Sequence, residues 1–172
     1  MEQISIPQKR FEMIDRAFIK RLEEELKCKI AKGEDNELTI EGEAYDEYNA
    51  KAVIEAFGRG FDMRVARKLL NEDYFMKSIS LKELFKNREQ VRRIKARLIG
   101  SDGKTKTYIE EVSGSDLAVY GSRISMIGTI QEIDIAMAAV QVLINGGTHK
   151  KAYKLMENER RKSREGGYNV GI

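Results

Sequence analysis

The chain has 172 residues, of which 41% are hydrophobic and 34% charged, with a net charge of +3. That is enough for one ordinary domain or two small ones with a real core; no run of about 18 apolar residues exists to cross a membrane, and the opening MEQISIPQKR lacks an apolar signal core, so a cytoplasmic protein is expected. One cysteine, Cys28, and one histidine, His149, leave no internal disulfide, no zinc site of the usual type and no Ser–His–Asp or Cys–His centre, so a non-enzymatic protein without catalytic residues, metal or cofactor is expected.

In chain order, Leu22–Gly42 reads as a helix end, a strand, a turn, a strand and a glycine. Glu23, Glu24 and Glu25 read as a solvated helix face, and Cys28 as a core residue at a strand start. A helix follows, with Asp46 as its expected cap and Val53 and Phe57 facing inward; Tyr45, Tyr48 and Phe57 are read as packing residues. It ends at FGRG, Phe57–Gly60, and FDMRVARKLL, Phe61–Leu70, reads as a short joining helix capped by Asp62. FMKSISL, Phe75–Leu81, has strand-type residues. REQVRRIKARLIG, Arg88–Gly100, places Val91, Ile94 and Leu98 on one helical face, with Arg88, Arg92 and Lys95 on the polar side and Arg93 and Arg97 on the flank. A loop, GSDG, and a second helix lead to Ile109–Gly128, which repeats the pattern of Leu22–Gly42 at an offset of 87 residues at one end and 86 at the other. Thr129 and Glu132 have the spacing of a capping box, Ile130, Ile133, Met137, Val140 and Ile144 recur at helical spacing, and Gly146 and Gly147 end that helix. The basic segment from Thr148 to about Arg164 reads as helical, followed by the tail EGGYNVGI.

The segment RLIGSDGKTKTYIEE, Arg97–Glu111, raises the functional question. Two glycines followed by lysines suit a loop that holds phosphate, because glycine lets backbone come close to the ligand and the following helix points free N–H groups at it. A mononucleotide P-loop needs a glycine five residues before Gly103, and that position is Leu98. GRGFDM, Gly58–Met63, lacks the third glycine of a dinucleotide fingerprint. The plainer reading of GSDG is a helix-start turn with Asp102 as an Asx-type cap. Charge favours a polyanion in the second half: residues 1–60 carry 10 Lys/Arg against 14 Asp/Glu, and residues 61–172 carry 21 against 14. An ordinary solvated surface would also account for those charges.

The order β–α–Gly-x-x-Gly–α–β–β–α resembles a KH domain of the eukaryotic type. IGSDGKTK (Ile99–Lys106), VYG (Val119–Gly121) and MIG (Met126–Gly128) fall where that family has its loop and last two strands. With FGRGF (Phe57–Phe61) and the degenerate preceding copy, the whole chain resembles the double-KH small-subunit ribosome-assembly factors of archaea and eukaryotes, more closely the archaeal form, which lacks a long N-terminal extension. The resemblance implies an α+β fold: KH-like domain 1 at 1–60, a linker helix at 61–73, KH domain 2 at 74–147 and a basic C-terminal helix and tail at 148–172. It implies binding of single-stranded RNA near the 3′ end of small-subunit rRNA in pre-rRNA processing. The rRNA 3′-end endonuclease and a translation initiation factor subunit are the implied protein partners.

The expected RNA-binding residues are Gly100, Ser101, Asp102 and Gly103, with Lys104, Lys106 and Arg97 around them. Leu98, Ile99, Ile109, Leu117 and Val119 are the expected groove, with Lys95 or Arg123 at its rim. At the 87-residue offset the loop aligns with Met13-Ile14-Asp15-Arg16, so the first unit is expected to bind RNA poorly or not at all. The competing expectation is a protein-interaction scaffold, whose first unit and tail recruit a nuclease or initiation factor.

Overall fold

The computed structural model describes residues 1–166; the end of the expected C-terminal tail lies outside the described residues. The chain divides into two compact units, Met1–Glu72 and from Asp73 onward. Among the described residues no helix is long and apolar enough to cross a membrane.

In the first unit the order is β1 (Glu2–Ser5), α1 (Gln8–Glu12), α2 (Arg16–Leu26), β2 (Lys29–Lys32), β3 (Glu37–Glu41) and α3 (Ala44–Gly58). The strands pair antiparallel in the spatial order β1-β3-β2, with Ile4 opposite Leu38 and Ile30 opposite Ile40. Leu38 and Ile40 alternate inward along the central strand, as a half-buried sheet requires, and meet Ala50, Val53, Ile54 and Phe57 of α3 and Leu22 and Leu26 of α2 in the core. The β2–β3 turn passes through Asp35 and Asn36 at φ 52° and 61°, a left-handed conformation that Asp and Asn tolerate best after glycine. Cys28 is buried in this core.

Three expectations change here. The cap of α3 is Glu43, not Asp46, because the helix starts at Ala44 and leaves Asp46 in its first turn. Tyr45 and Tyr48 do not pack; they are 61% and 71% exposed, whereas Phe57 is buried against Phe18 at 5.1 Å and beneath the Arg10 guanidinium at 3.9 Å. The segment expected to join the units instead packs on the first one. Asp62 caps the short α4 (Met63–Ala66) by accepting from the Val65 N–H at 2.9 Å, and Phe61, Val65 and Ala66 are buried beside α3.

Glu47 ties down the start of α3. Its carboxylate accepts from the Met1 ammonium and from the Gly42 N–H, each at 2.9 Å. The ammonium first, and the Gly42 N–H second, hold its pKa below the ordinary glutamate range. A depressed carboxylate pKa adds stability that is present above the unfolded value and is lost as pH falls through the folded one. The denaturation midpoint of the first unit is therefore expected to drop between pH 7 and pH 3, and Glu47→Gln should reduce that pH dependence.

The second unit repeats the topology: β4 (Phe75–Ser80), α5 (Leu81–Leu84), α6 (Arg88–Ile99), α7 (Lys104–Ser113), β5 (Asp116–Tyr120), β6 (Arg123–Gly128) and α8 (Ile130–Ile144), with spatial order β4-β6-β5. Apart from the single turn α5, this is the β–α–α–β–β–α order of the first unit. The Thr129–Glu132 capping box is formed, with both reciprocal hydrogen bonds. The inward face of α8 differs from the expected one. Ile130, the first helical residue, is 60% exposed, and Ala136 and Ala139 are fully buried. Those alanines leave room for α9 (His149–Gly166) to pack closely on α8 through its own buried Ala152 and Met156. The basic C-terminal helix is thus part of this unit's core rather than an appendage.

Candidate nucleic-acid interface

The loop between α6 and α7 is shaped by two glycines with different jobs. Gly100 has φ 75° and ψ 177°, a region open essentially to glycine alone. A Cβ there would stand 2.2 Å from Thr105 Oγ1 and 2.9 Å from the Thr105 backbone nitrogen. Gly103 has φ 74° and ψ 13°, and a Cβ there would meet nothing within 4 Å. Gly100 therefore closes the loop onto the protein, and Gly103 leaves its outer side open to a ligand's backbone.

Gly103 is also the N-cap of α7, and no side chain caps this ten-residue helix. The Lys104 N–H is taken by the Ser101 carbonyl; the N–H groups that follow it in the first turn lack an intrahelical partner and carry the positive end of the helix dipole. Asp102 does not act as an Asx cap; it is exposed at φ 54° and makes no capping hydrogen bond. A carboxylate about 6 Å from a phosphate in water costs roughly 0.7 kcal/mol, and the exposed Lys104 beside it offsets a cost of that size.

The other expected residues divide into two groups. Lys95 and Ile99 line an open groove beside the loop, together with Gly121 and Ser122 of the β5–β6 turn. Val119 is half-buried, and so is Arg123, which pairs with Ser80 and Tyr120 across the sheet. Leu117, Leu98 and Ile109 are 2%, 0% and 0% exposed; their inward side chains form the core under the loop and offer no surface to a ligand. Lys106 pairs with Glu110 at 3.0 Å, and Glu110 also accepts from the Leu117 N–H at 2.9 Å, which ties α7 to β5.

Arg97 is turned inward too. Its guanidinium donates to the Leu143 carbonyl at 3.1 Å and to the Gly147 carbonyl, at the end of α8. Its own carbonyl lies 2.9 Å from His149 Nε2 at the start of α9. Sequence reasoning missed Thr105, the buried residue on which Gly100 closes, whose hydroxyl accepts from Tyr153 at 3.2 Å. Its place in GKT, read only as a failed P-loop, was the available signal.

The first unit has no such opening. At the matching position Ile14 is 2% exposed and plugs the core. Asp15 caps α2, its carboxylate accepting from the Phe18 N–H at 2.7 Å. Lys32 donates to the Phe11 and Ile14 carbonyls at 3.0 and 2.8 Å. Charge follows the same division: 13 Lys/Arg against 16 Asp/Glu in residues 1–72, and 18 against 12 in residues 73–172. Among the described residues no cluster of His, Cys, Asp and Glu could hold a metal ion.

Residues 75–161 match the family model of the second KH domain of PNO1, a eukaryotic-type (type I) KH domain. The chain belongs to the Pno1/Dim2 family of KH-domain proteins. Its family relatives include a KH domain-containing protein of Methanocaldococcus jannaschii, 34% identical over 148 residues, covering 83% of this chain and 65% of that one. The pre-rRNA-processing protein pno1 of Aspergillus fumigatus is 32% identical over 103 residues, 58% of this chain and 41% of that one. The chain thus spans from about two-fifths to just under two-thirds of the length of these curated relatives. A chain in the crystal structure of the a/eIF2alpha–aDim2p–rRNA complex from Pyrococcus horikoshii is 29% identical, with a TM-score of 0.84 over 94% of each chain. The match to residue 161 takes in most of α9 but not its last turn, and includes the buried Ala152 and Met156.

Proposed function

We propose that the protein is a non-enzymatic, cytoplasmic RNA-binding factor of small-subunit ribosome assembly, which grips single-stranded rRNA near its 3′ end through Gly100–Gly103. The observation that carries this reading is the uncapped N-terminus of α7 behind the unobstructed Gly103. A KH clamp of this form holds about four nucleotides, and the phosphates would meet the α7 N–H groups and Lys104. The Pno1 relative's role in pre-rRNA processing and the P. horikoshii complex with rRNA support the substrate class.

The same complex contains a/eIF2alpha, which supports an initiation factor subunit as a partner; the rRNA 3′-end endonuclease is the second partner the family resemblance implies. A scaffold role for the first unit is favoured by the exposed Tyr45 and Tyr48 on an acidic unit whose loop is closed. Tyrosine is a common interface anchor.

Ser101→Asp tests the clamp, because it converts the loop to Gly-Asp-Asp-Gly at an exposed position. Affinity for single-stranded rRNA is expected to fall roughly tenfold or more with the unfolding midpoint unchanged. Unchanged affinity would show the loop assignment to be wrong. A salt titration separates clamp from scaffold: phosphate contacts give a slope of about −0.7 each on single strands, and a flat response favours the scaffold.

A further inference from the structure

The two units anchor their loops in opposite ways. In the first, the Asp15 carboxylate accepts from the Phe18 N–H at 2.7 Å and ties the loop to α2. In the second, no side chain caps α7, which leaves N–H groups of its first turn open to a ligand. The loop's backbone hydrogen bonds are local: Gly100 N–H to the Ala96 carbonyl at 2.8 Å, Gly103 N–H to the Gly100 carbonyl at 3.3 Å, and Lys104 N–H to the Ser101 carbonyl. A long-range hold comes from α9. Tyr153 donates its hydroxyl to Thr105 Oγ1 at 3.2 Å, across 48 residues of chain. Thr105 is buried in the first turn of α7, and its Oγ1 and backbone nitrogen are the atoms on which Gly100 closes. Tyr153 is half-buried and itself held: its ring meets Tyr108 edge-on at 4.6 Å, and the Tyr108 hydroxyl donates to the Glu157 carboxylate, one turn further along α9. At the 87-residue offset Thr105 corresponds to Phe18, which packs on Phe57 at 5.1 Å. The closed loop thus has a cap and no hydroxyl at this position; the open loop has the hydroxyl and no cap.

We propose that Tyr153 is a positioning residue for the RNA clamp: through Thr105 it fixes the loop at Gly100–Gly103, so that α9 stands in for the missing cap. The inference rests on the RNA-binding reading above. A side-chain cap would occupy N–H groups that a bound phosphate needs. A hydrogen bond to the Thr105 hydroxyl holds the same turn and leaves those groups free. Binding geometry is kept within about 0.5 Å only where the surrounding side chains are locked by packing and hydrogen bonds of their own, and the ring contact with Tyr108 supplies that lock for Tyr153. Tyr153 acts through Thr105 and does not itself touch RNA. The competing account is packing alone, in which the Tyr153 ring matters and its hydroxyl does not.

The test uses the full chain with Tyr153→Phe, which keeps the ring and removes only the donor. Affinity for a labelled single-stranded oligonucleotide copying the rRNA 3′ end is expected to fall about three- to tenfold. Amide hydrogen exchange of the free protein gives a readout independent of RNA: Gly103 and Lys104 should exchange faster, by about threefold or more, while β6 and α8 keep the wild-type rates. Thr105→Val removes the acceptor and is expected to produce the same two changes, whereas Thr105→Ser, which keeps the hydroxyl, should retain most of the affinity. In the Thr105→Val background, Tyr153→Phe should have no further effect. Wild-type affinity and exchange in Tyr153→Phe, or losses that simply add in the double variant, overturn the proposal in favour of packing alone. So does faster exchange spread equally over β6 and α8, which marks general destabilisation. If Tyr153→Phe does not fold, the Thr105 pair decides: equal affinities of Thr105→Val and Thr105→Ser sink the proposal. Ser101→Asp keeps the two readings apart. Unchanged RNA affinity in that variant removes the clamp on which the proposal rests; a loss there, with normal binding by Tyr153→Phe, removes the positioning role alone.

Discussion

Gly100→Ala is expected to destabilise the second unit by about 2–6 kcal/mol and to remove RNA binding with it. Two costs add. The backbone at φ 75°, ψ 177° is strained by roughly 1–3 kcal/mol for any residue with a Cβ. The new methyl would also press on Thr105, a buried residue held by Tyr153, with its backbone nitrogen only 2.9 Å away. Overpacking of that kind costs about 1–3 kcal/mol. Urea denaturation should show a lower midpoint at unchanged m.

Gly103→Ala gives the contrasting result. Its φ of 74° costs roughly 1 kcal/mol, yet nothing surrounds the added atom. The unit should remain folded while RNA binding weakens, because the methyl occupies the approach to the α7 N–H groups. If Gly103→Ala bound RNA normally while keeping its fold, close backbone contact at that position would be disproved. The pair separates the glycine that builds the loop from the glycine that exposes it.

Arg97→Ala should cost about 2–4 kcal/mol: each hydrogen bond to a charged donor contributes roughly 1.5–3 kcal/mol, and two of them are discounted because the side chain is only half-buried. The guanidinium joins the end of α6 to the Leu143 and Gly147 carbonyls, at the place where α8 stops and α9 follows. Backbone N–H groups of Asn145, Gly146 and Gly147 donate to the Gln141, Leu143 and Val142 carbonyls there, and the guanidinium adds a charged donor to that end. Arg97→Lys should recover only part of the loss, as a point charge cannot span both acceptors as the planar fork does. The measurement is the unfolding midpoint together with RNA affinity under conditions where the variant is folded. Affinity is then expected to match the wild type, because the guanidinium faces the protein. A loss of affinity in the folded variant would instead place it on the RNA.

Arg97 also shows where sequence reasoning stops. Five cations on one helix could be counted from the chain, but the direction of a long side chain is decided by what lies beside the helix. Here that is a carbonyl pair from residues nearly fifty positions later. Leu117 was misplaced for a related reason. Period-2 alternation marks a residue as apolar and inward, but not whether it ends in a groove or under it. The loop was legible because positive φ, helix termination and a following helix all require glycine at fixed positions. The topology was legible because the repeat carries two independent copies of one pattern. The packing of α9 was less so: two buried residues, Ala152 and Met156, hold a helix whose other positions are largely charged or polar. The cap of α3 was misread because Asp46 is the stronger N-cap residue by type, while Glu43 holds the position and Glu47 makes the tie to Gly42.

The Asp15 carboxylate over the start of α2 has a consequence for how tightly and how long the protein stays on RNA. Two working clamps on one chain would make the second contact intramolecular, and avidity could then exceed either affinity by about 10²–10⁴. With that side chain seated, the clamp proposed at Gly100–Gly103 has no counterpart in the first unit, and no such multiplication is expected. On that proposal the dwell time would be set by the one clamp, which keeps release within reach of a competing strand or partner. On the proposed function, restoring a Gly-x-x-Gly loop in the first unit would be expected to slow departure from RNA more than it speeds arrival.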